Sequence, residues 1–356
     1  MKYISVEGFE NEKEKFRATG KARGDAEIIA SNLGFKKLFI PTVLGIRYKK
    51  YEKPFQFLDY RNNAKKWDKA FKKLERGDTV LIQYPLVNTA LHFEKIVEKY
   101  REKLNIIVLI HDLDSIRFGK DERKSAAYLR RVNGTDKNIL MAANAVISHN
   151  EKMTEYLKDL GIDSEKIVNL ELFDHLSKEH EFAKAKYGDS IIIAGNLGTE
   201  KAPYLKGLKK IDANFRFYGV NFDNTCKGKN IEYMGAFSPK ELITNLKGSF
   251  GLVWDGSSIE TCDGIYGNYL RYNNPHKTSL YLSSGLPVII WKEAALAGYI
   301  EKNRLGITVD SLSELPTILK NLKKSDYEEM KKNVDKIATK LQDGKFLESA
   351  IKKVEK

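Results

Sequence analysis

Two doubly wound parallel α/β domains are what this sequence predicts, and three observations predict them. Short apolar runs, such as Thr79 to Gln83 (TVLIQ), Ile106 to Ile110 (IIVLI) and Val288 to Trp291 (VIIW), alternate with helical stretches. That is the pattern of parallel sheets buried on both faces. The alternation breaks once, at the polar stretch 173–189 (FDHLSKEHEFAKAKYGD), and restarts at Ser190. At 356 residues the chain is also long for a single core. The expected division is a first domain at 1–172, a linker at 173–189, a second domain at 190–325 and a lysine-rich helical segment at 326–356.

The elements follow in order. Residues 17–34 read as a glycine-containing turn, Thr19 to Gly24, then an amphipathic helix that Asp25 caps and Gly34 ends, with Ile28, Ile29 and Leu33 as its apolar residues. The turn either brings backbone close to a ligand or is an ordinary glycine loop. It lacks the Gly-Lys-Ser/Thr ending of a P-loop. Lys37 to Pro41 is a strand, and TVLIQ at 79–83 is another, broken by Tyr84-Pro85-Leu86. A helix at 91–104 leads to the strand IIVLI, which ends in His111-Asp112. A charged, mostly helical stretch runs to Met141, followed by the strand AVIS (145–148), a helix at 151–160 and a strand at 168–172. In the second domain the strands are 191–194, 215–218, 231–234, 251–254 and 288–291. Helices are expected through 202–210, at 239–246 and at 276–284, the last ended by Gly285.

Composition narrows the function classes. Hydrophobic residues make up 42% and charged residues 31%, as in a soluble globular protein. No apolar run reaches the ~18 residues of a membrane span, and the first residues lack the apolar core of a secretion signal. A cytoplasmic location is therefore expected. The two cysteines, Cys226 and Cys262, are expected as reduced thiols, and neither has metal-ligand company. Lys and Arg exceed Asp and Glu by 13, which suits nucleic acid, an anionic membrane face or an anionic substrate. The lysines are spread along the chain and no nucleic-acid-binding motif is present. Attraction to anionic lipid is the reading preferred over base recognition.

In open parallel sheets, ligands sit beyond the carboxyl ends of the strands. That rule selects Gly195, Asn196 and Leu197, then Tyr218 and Gly219, Gly235, and Asp255 and Gly256 in the second domain. In the first it selects Tyr84, His111-Asp112 and His149-Asn150. After Asn274-Pro275, the residues His276, Lys277, Thr278 and Ser279 open a helix, whose free N–H groups and partial positive charge attract phosphate. An ordinary βαβ unit with a solvated helix start is the alternative. Lys201, near the helix start after AGNLG, is a second basic group for a pyrophosphate; a plain tight turn is the alternative there. Asp255 is placed to orient Lys277 or accept hydroxyls, or to cap a turn. Asp112 at a strand end is a candidate general base, with His111 orienting it or serving instead, or else a helix cap. Arg117 holds an anionic group or pairs with Asp114.

The string N-P-H-K-x-S-x-Y-L-x-x-G-x-P-V-I at 274–289, preceded by W-D-G and G-x-Y, resembles one group of GT-B glycosyltransferases: the bacterial β-1,6-galactofuranosyltransferases and the glucosyltransferases that extend GlcNAc on serine-rich adhesins. H-D-L-x-x-x-R at 111–117 is similar to the same group, and the likeness is strongest from Ile191 to Val309. It implies two Rossmann-like parallel-sheet domains facing a cleft, with the last helix crossing back to the first domain. It implies a UDP-sugar donor held by the second domain, with Tyr218, Gly219 and Gly235 at the uracil and ribose, and with Asn274, His276, Lys277, Ser279 and Tyr281 in the helix motif. It implies an acceptor side in the first domain, where Thr19, Arg23, Asp25 and Arg117 are placed, and inversion with Asp112 as base. The implied donor sugar is galactofuranose or, second, glucose. No metal and no cofactor beyond the donor is expected. The acceptor is expected to be a lipid-linked or protein-linked glycan, reached at the inner membrane face, and self-association is expected from the relatives. The two other classes are a nucleotide-sugar-binding scaffold without turnover and a basic nucleic-acid-binding protein.

Overall fold

In a computed structural model the chain is described except at residues 9–17, 43–52, 120–125, 178–179, 181 and 356. The start of the expected turn at Arg17, residues 120–125 of the charged stretch and residues 178, 179 and 181 of the expected linker lie outside the described residues. The rest packs as two units. One is built from the described residues of Met1–Asn11, Ala26–Leu170 and Glu348–Lys356, the other from those of Glu12–Asp25 and Glu171–Leu347. Among the described residues no helix is long and apolar enough to cross a membrane.

The first unit is a six-stranded parallel sheet. Its elements are β1 (Lys2–Glu7), α1 (Ala18–Asn32, shared with the second unit), β2 (Lys36–Ile40), α2 (Lys53–Lys72), β3 (Thr79–Tyr84), α3 (Phe93–Tyr100), β4 (Asn105–Ile110), α4 (Asp114–Phe118), α5 (Ala126–Ala142), β5 (Ala145–Ser148), α6 (Glu151–Asp159) and β6 (Ile167–Asn169). The strand order is β2-β1-β3-β4-β5-β6. Ile106 to Ile110 and Val80 to Tyr84 are buried throughout, which is why these strands read as unbroken apolar runs. Trp67, Phe71, Phe93 and Tyr100 pack edge to face beneath the sheet. Asn150 caps α6 by accepting from the Met153 N–H at 2.9 Å.

Two expectations are corrected here. Thr19 to Gly24 is not a turn: it lies inside α1. Ala22, Ala26, Ile29 and Ala30 recur at helical spacing and are buried, while Ile28 faces outward, so this stripe holds the two glycines in the helix. Asp25 is therefore not a helix cap but sits inside α1, bonded one turn back to Lys21. The strand β1 and helix α2 have no counterpart in the sequence reading.

The second unit has the elements β7 (Lys184–Ala185), β8 (Ile191–Asn196), β9 (Phe215–Val220), β10 (Ile231–Gly235), α7 (Pro239–Asn245), β11 (Lys247–Gly248), β12 (Phe250–Val253), α8 (Gly264–Tyr269), α9 (His276–Ser283), β13 (Val288–Trp291), α10 (Ala297–Lys302), β14 (Gly306–Val309), α11 (Leu315–Asn321) and α12 (Lys324–Gln342). The last helix, α13 (Lys345–Val354), is shared with the first unit. The large sheet runs β10-β9-β8-β12-β13-β14, all parallel. Counted within the unit this is 3-2-1-4-5-6, the order of dinucleotide-binding sheets, whose direction of winding reverses between β8 and β12. The helix expected through 202–210 is instead two 3₁₀ turns, Pro203–Lys206 and Leu208–Lys210. Gly207 separates them, pressed so close to Ile259 that a Cβ would lie 2.5 Å from its side chain.

Helix α9 is fixed at both ends and along its buried face. Gly285 has φ 75°, and the Gly285 and Leu286 N–H groups bond Leu282 and Tyr281 carbonyls at 3.0 and 2.9 Å, a Schellman ending. The Tyr281 ring lies flat over Gly251 of β12, and its hydroxyl accepts from the Ala194 N–H of β8 at 2.7 Å. A Cβ on residue 251 would sit 2.1 Å from the Tyr281 ring. Gly251→Ala is therefore expected to destabilise the protein by about 1–3 kcal/mol, the usual cost of overpacking a core, as read from chemical denaturation. An unchanged midpoint would show that α9 is not seated by this contact.

Candidate active site

The reversal point of the second sheet opens into a cavity of about 560 Å³, within the 300–1,000 Å³ range of small-molecule sites. Its lining residues all belong to the second unit: Lys21, Ala22, Asp174, His175, Ala194, Gly195, Asn196, Lys201, Val220, Asn221, Phe237, Pro239, Leu242, His276, Lys277, Ser279 and Leu280. Strand β8 delivers Gly195 and Asn196, and the first turn of α9 delivers His276, Lys277 and Ser279.

Most of these groups, though not Lys201, are held from behind. Lys277 Nζ donates to the Trp254 carbonyl at 2.9 Å and to Asp255 Oδ2 at 3.1 Å, so Asp255 orients the lysine. Asn196 Oδ1 accepts from the Gly198 N–H at 3.0 Å and from Asn221 Nδ2 at 3.1 Å. The Lys201 ammonium has no partner among the described residues, and the side chain is exposed. Lys21 Nζ is 2.6 Å from both Asp25 carboxylate oxygens and 2.9 Å from the Leu176 carbonyl. The His276 ring packs against Phe173 with centroids 4.5 Å apart. Burial, with Lys21 and His276 nearby, pushes His175 down to about 3, so its imidazole is neutral at physiological pH. The cavity thus gathers three lysines and a helix N-terminus at one place, a setting for an anion with more than one charged group.

Of the donor-side residues selected from sequence, Gly195, Asn196, Lys201, His276, Lys277 and Ser279 line this cavity. The others have internal places. Tyr218 is fully buried, and its hydroxyl accepts from the Lys247 N–H at 3.1 Å; it is a packed ring, not an exposed platform for a base. Tyr281 is the buried strut described above. Leu197 is core. Gly219 brings β9 against β8 so tightly that a Cβ would meet the Gly195 carbonyl oxygen at 1.7 Å, and Gly256 lets the loop fold onto Asp263, whose backbone N would be 2.7 Å from such a Cβ. Gly235 has φ 95° at a register shift of β10. Asn274 is buried and donates to the Glu171 carbonyl at 3.0 Å. Lys21, Asp174, His175, Val220, Asn221, Phe237, Pro239 and Leu242 were not selected from sequence. Lys21 and Ala22 lie more than 150 residues from the rest of the cavity lining, and Asp174 and His175 fall where composition suggested a linker.

In the first unit, His111 is buried at the end of β4, with Nε2 3.0 Å from Gln83 Oε1. Asp112 is partly exposed and pairs with Arg117 at 3.3 Å. The loop is anchored by Asp136, which accepts from the Ser115 N–H at 2.7 Å and from the Tyr84 hydroxyl. Burial raises the Asp136 carboxyl above its usual range. On the acceptor side, Thr19 and Arg23 lie in α1, and Asp25 is occupied by Lys21 and by the Leu176 N–H at 3.0 Å. Among the described residues no group of three or more His, Cys, Asp or Glu side chains is arranged for a metal ion.

Comparison with known proteins agrees with this architecture. The Glucosyltransferase 3-like N-terminal domain matches residues 2–172 and the Glucosyltransferase 3-like C-terminal domain matches 191–354. The chain is 36% identical over 288 residues to the β-1,6-galactofuranosyltransferase WbbI of Escherichia coli K12, covering 79% of this chain and 80% of that one. It is 26% identical to Glucosyltransferase 3 of Streptococcus gordonii, covering 91% and 90%. Among solved structures, HepE of Anabaena in complex with UDP and glucose superposes with a TM-score of 0.59 at 11% identity, over 100% of this chain and 99% of that one. The fold is GT-B, and the chain belongs to the Glucosyltransferase 3-like family of glycosyltransferases.

Proposed function

We propose that this glycosyltransferase moves a hexose from a UDP-sugar to a hydroxyl of a glycan acceptor, and that the cavity of the second unit holds the donor diphosphate. One observation carries the reading: Lys201, Lys277, His276 and the N-terminus of α9 converge at the reversal point of a 3-2-1-4-5-6 sheet. HepE, which shares the fold, is solved with UDP and glucose, and WbbI transfers galactofuranose. Galactofuranose is accordingly the first choice of sugar and glucose the second.

In the proposed reaction the acceptor oxygen attacks the anomeric carbon. The bond from that carbon to the diphosphate breaks, and its electron pair leaves with the diphosphate. Lys277, held by Asp255 and the Trp254 carbonyl, is positioned before reaction, so stabilising the growing charge needs little reorganisation. Asp112 takes the hydroxyl proton, and attack from the face opposite the leaving group inverts the centre. The excess of 13 positive charges suits an acceptor presented at an anionic, cytoplasmic membrane face. Self-association belongs to the same reading, suggested by the family resemblance alone.

UDP at 100 times its Kd is expected to add about 2.7 kcal/mol of stability, seen as a rise in melting temperature that ADP and GDP do not give. Lys277→Ala is expected to abolish that rise. A wild-type chain that no nucleotide stabilises would overturn the donor assignment. Asp112→Asn is expected to lower kcat about 10²–10⁴-fold, the range for loss of a general base, while leaving the UDP-induced rise intact. Full turnover by this variant would remove Asp112 from the mechanism.

A further inference from the structure

One polar side chain in the cavity has no part in the reading above. His175 is 9% exposed, lines the cavity, and its enclosed Nδ1 has no hydrogen-bond partner. Buried polar groups are nearly always bonded, and an exception calls for an explanation in function, water or strain. The ring is not loosely placed. The His175 N–H donates to the Leu341 carbonyl at 3.1 Å. The neighbouring Asp174 carboxylate accepts from the Phe346 and Leu347 N–H groups at 3.2 and 2.8 Å, in the first turn of α13. The segment is therefore clamped from both sides, and the imidazole is set in position before any ligand arrives.

The tautomer follows from the same facts. An orphaned buried N–H is rarer than an under-used acceptor, so the lone pair belongs on the enclosed Nδ1 and the proton on Nε2. Nε2 makes no hydrogen bond among the described residues and is the ring atom left for the cavity. Lys21 and His276 are the titratable neighbours that, with burial, hold the ring neutral. Lys21 directs its ammonium at Asp25 and Leu176, and Lys277 directs its own at Trp254 and Asp255. These cations supply field, with part of their hydrogen-bonding capacity already used, whereas the imidazole supplies a directed, unused donor.

We propose that His175 is a donor-binding residue whose Nε2–H gives a neutral hydrogen bond to the diphosphate of the nucleotide sugar and keeps it as that diphosphate leaves. The proposal rests on the UDP-sugar reading. His175 transfers no proton: the anomeric carbon–oxygen electron pair goes to the diphosphate, the acceptor's proton goes to the base, and the imidazole remains neutral throughout.

The test is calorimetric titration of the full chain with UDP and with uridine, which has no phosphate. His175→Ala is expected to weaken UDP binding about 10-fold, as for loss of one hydrogen bond to a charged group, and to leave uridine binding unchanged. His175→Gln, whose amide N–H replaces Nε2–H, is expected to restore UDP affinity to within about 3-fold of wild type. Should the alanine variant not fold, His175→Leu supplies an apolar side chain of closer size and is expected to behave as alanine does. Unchanged UDP affinity in the apolar variant would overturn the proposal. So would an equal loss for UDP and uridine, which would mean that the ring only shapes the cavity. Failure of the wild-type chain to bind UDP is a different result: it removes the donor reading itself, and this inference with it.

Discussion

The contact of the Tyr281 ring with Gly251 is the constraint on which the second unit's site depends. Helix α9 carries His276, Lys277 and Ser279 into the cavity, and it is seated for this by its sixth residue, Tyr281, whose ring lies on Gly251 of β12. With hydrogen in place of a side chain at 251, the helix approaches the sheet closely enough for the Tyr281 hydroxyl to reach past β12 to the Ala194 N–H of β8. One side chain thus ties together the helix and the two strands that flank the sheet's reversal point. Burial raises the phenol's pKa, so it stays a neutral strut at physiological pH. Lys277 stands one turn earlier on the same helix, and the two bonds at its ammonium end on the residues that follow β12. The position of the charge is inherited from the packing of the ring.

This arrangement explains which parts of the site were legible in sequence. A residue whose role is set by its own strand or helix leaves a local signal. Gly195 and Asn196 follow an apolar run, and His276, Lys277 and Ser279 follow Asn-Pro; all five line the cavity. Roles set by long-range packing leave no such signal. Tyr218 stands at a strand end as a ligand-binding residue would, but the ring of Phe237 lies 6.2 Å away and the hydroxyl bonds Lys247. Asp25 reads as a helix cap because an Asp before an apolar stretch usually is one. What decides otherwise is the buried alanine stripe beginning at Ala22, which extends the helix back through two glycines.

The fold was more legible than the site, for the same reason. Central strands such as Ile106–Ile110 are buried on both faces and announce themselves as apolar runs. The strand β1, at Lys2–Glu7, sits between β2 and β3, yet only Ile4 and Ser5 are buried in it. Its mixed composition hides it. Polar composition also hid the structural role of the segment after β6. Phe173, Asp174 and His175 are buried, and Asp174 spends its carboxylate on the first turn of α13. A linker needs solvent-exposed polar groups, whereas these polar groups face backbone donors and a cavity.

The first unit shows a different solution to positioning a carboxylate. Asp112 has no tight helix seat; the loop that carries it is tethered through its neighbours. The His111 N–H donates to the Tyr84 carbonyl at 2.6 Å, continuing the β3–β4 ladder by one residue. Ser115, three residues past Asp112, gives its N–H to Asp136 on α5, and Tyr84 gives its hydroxyl to the same carboxylate. The loop is thus fixed at both ends by groups buried away from water, where an unmade bond costs about 1–3 kcal/mol. Asp112 itself, paired with Arg117, stays partly exposed. Rigidity is supplied by the residues beside Asp112 and not by its own burial, which leaves the carboxylate reachable from solvent. Lys277 follows the same logic in the second unit: its stem is set by Tyr281 and its ammonium is steered by Asp255, yet the side chain still lines open space.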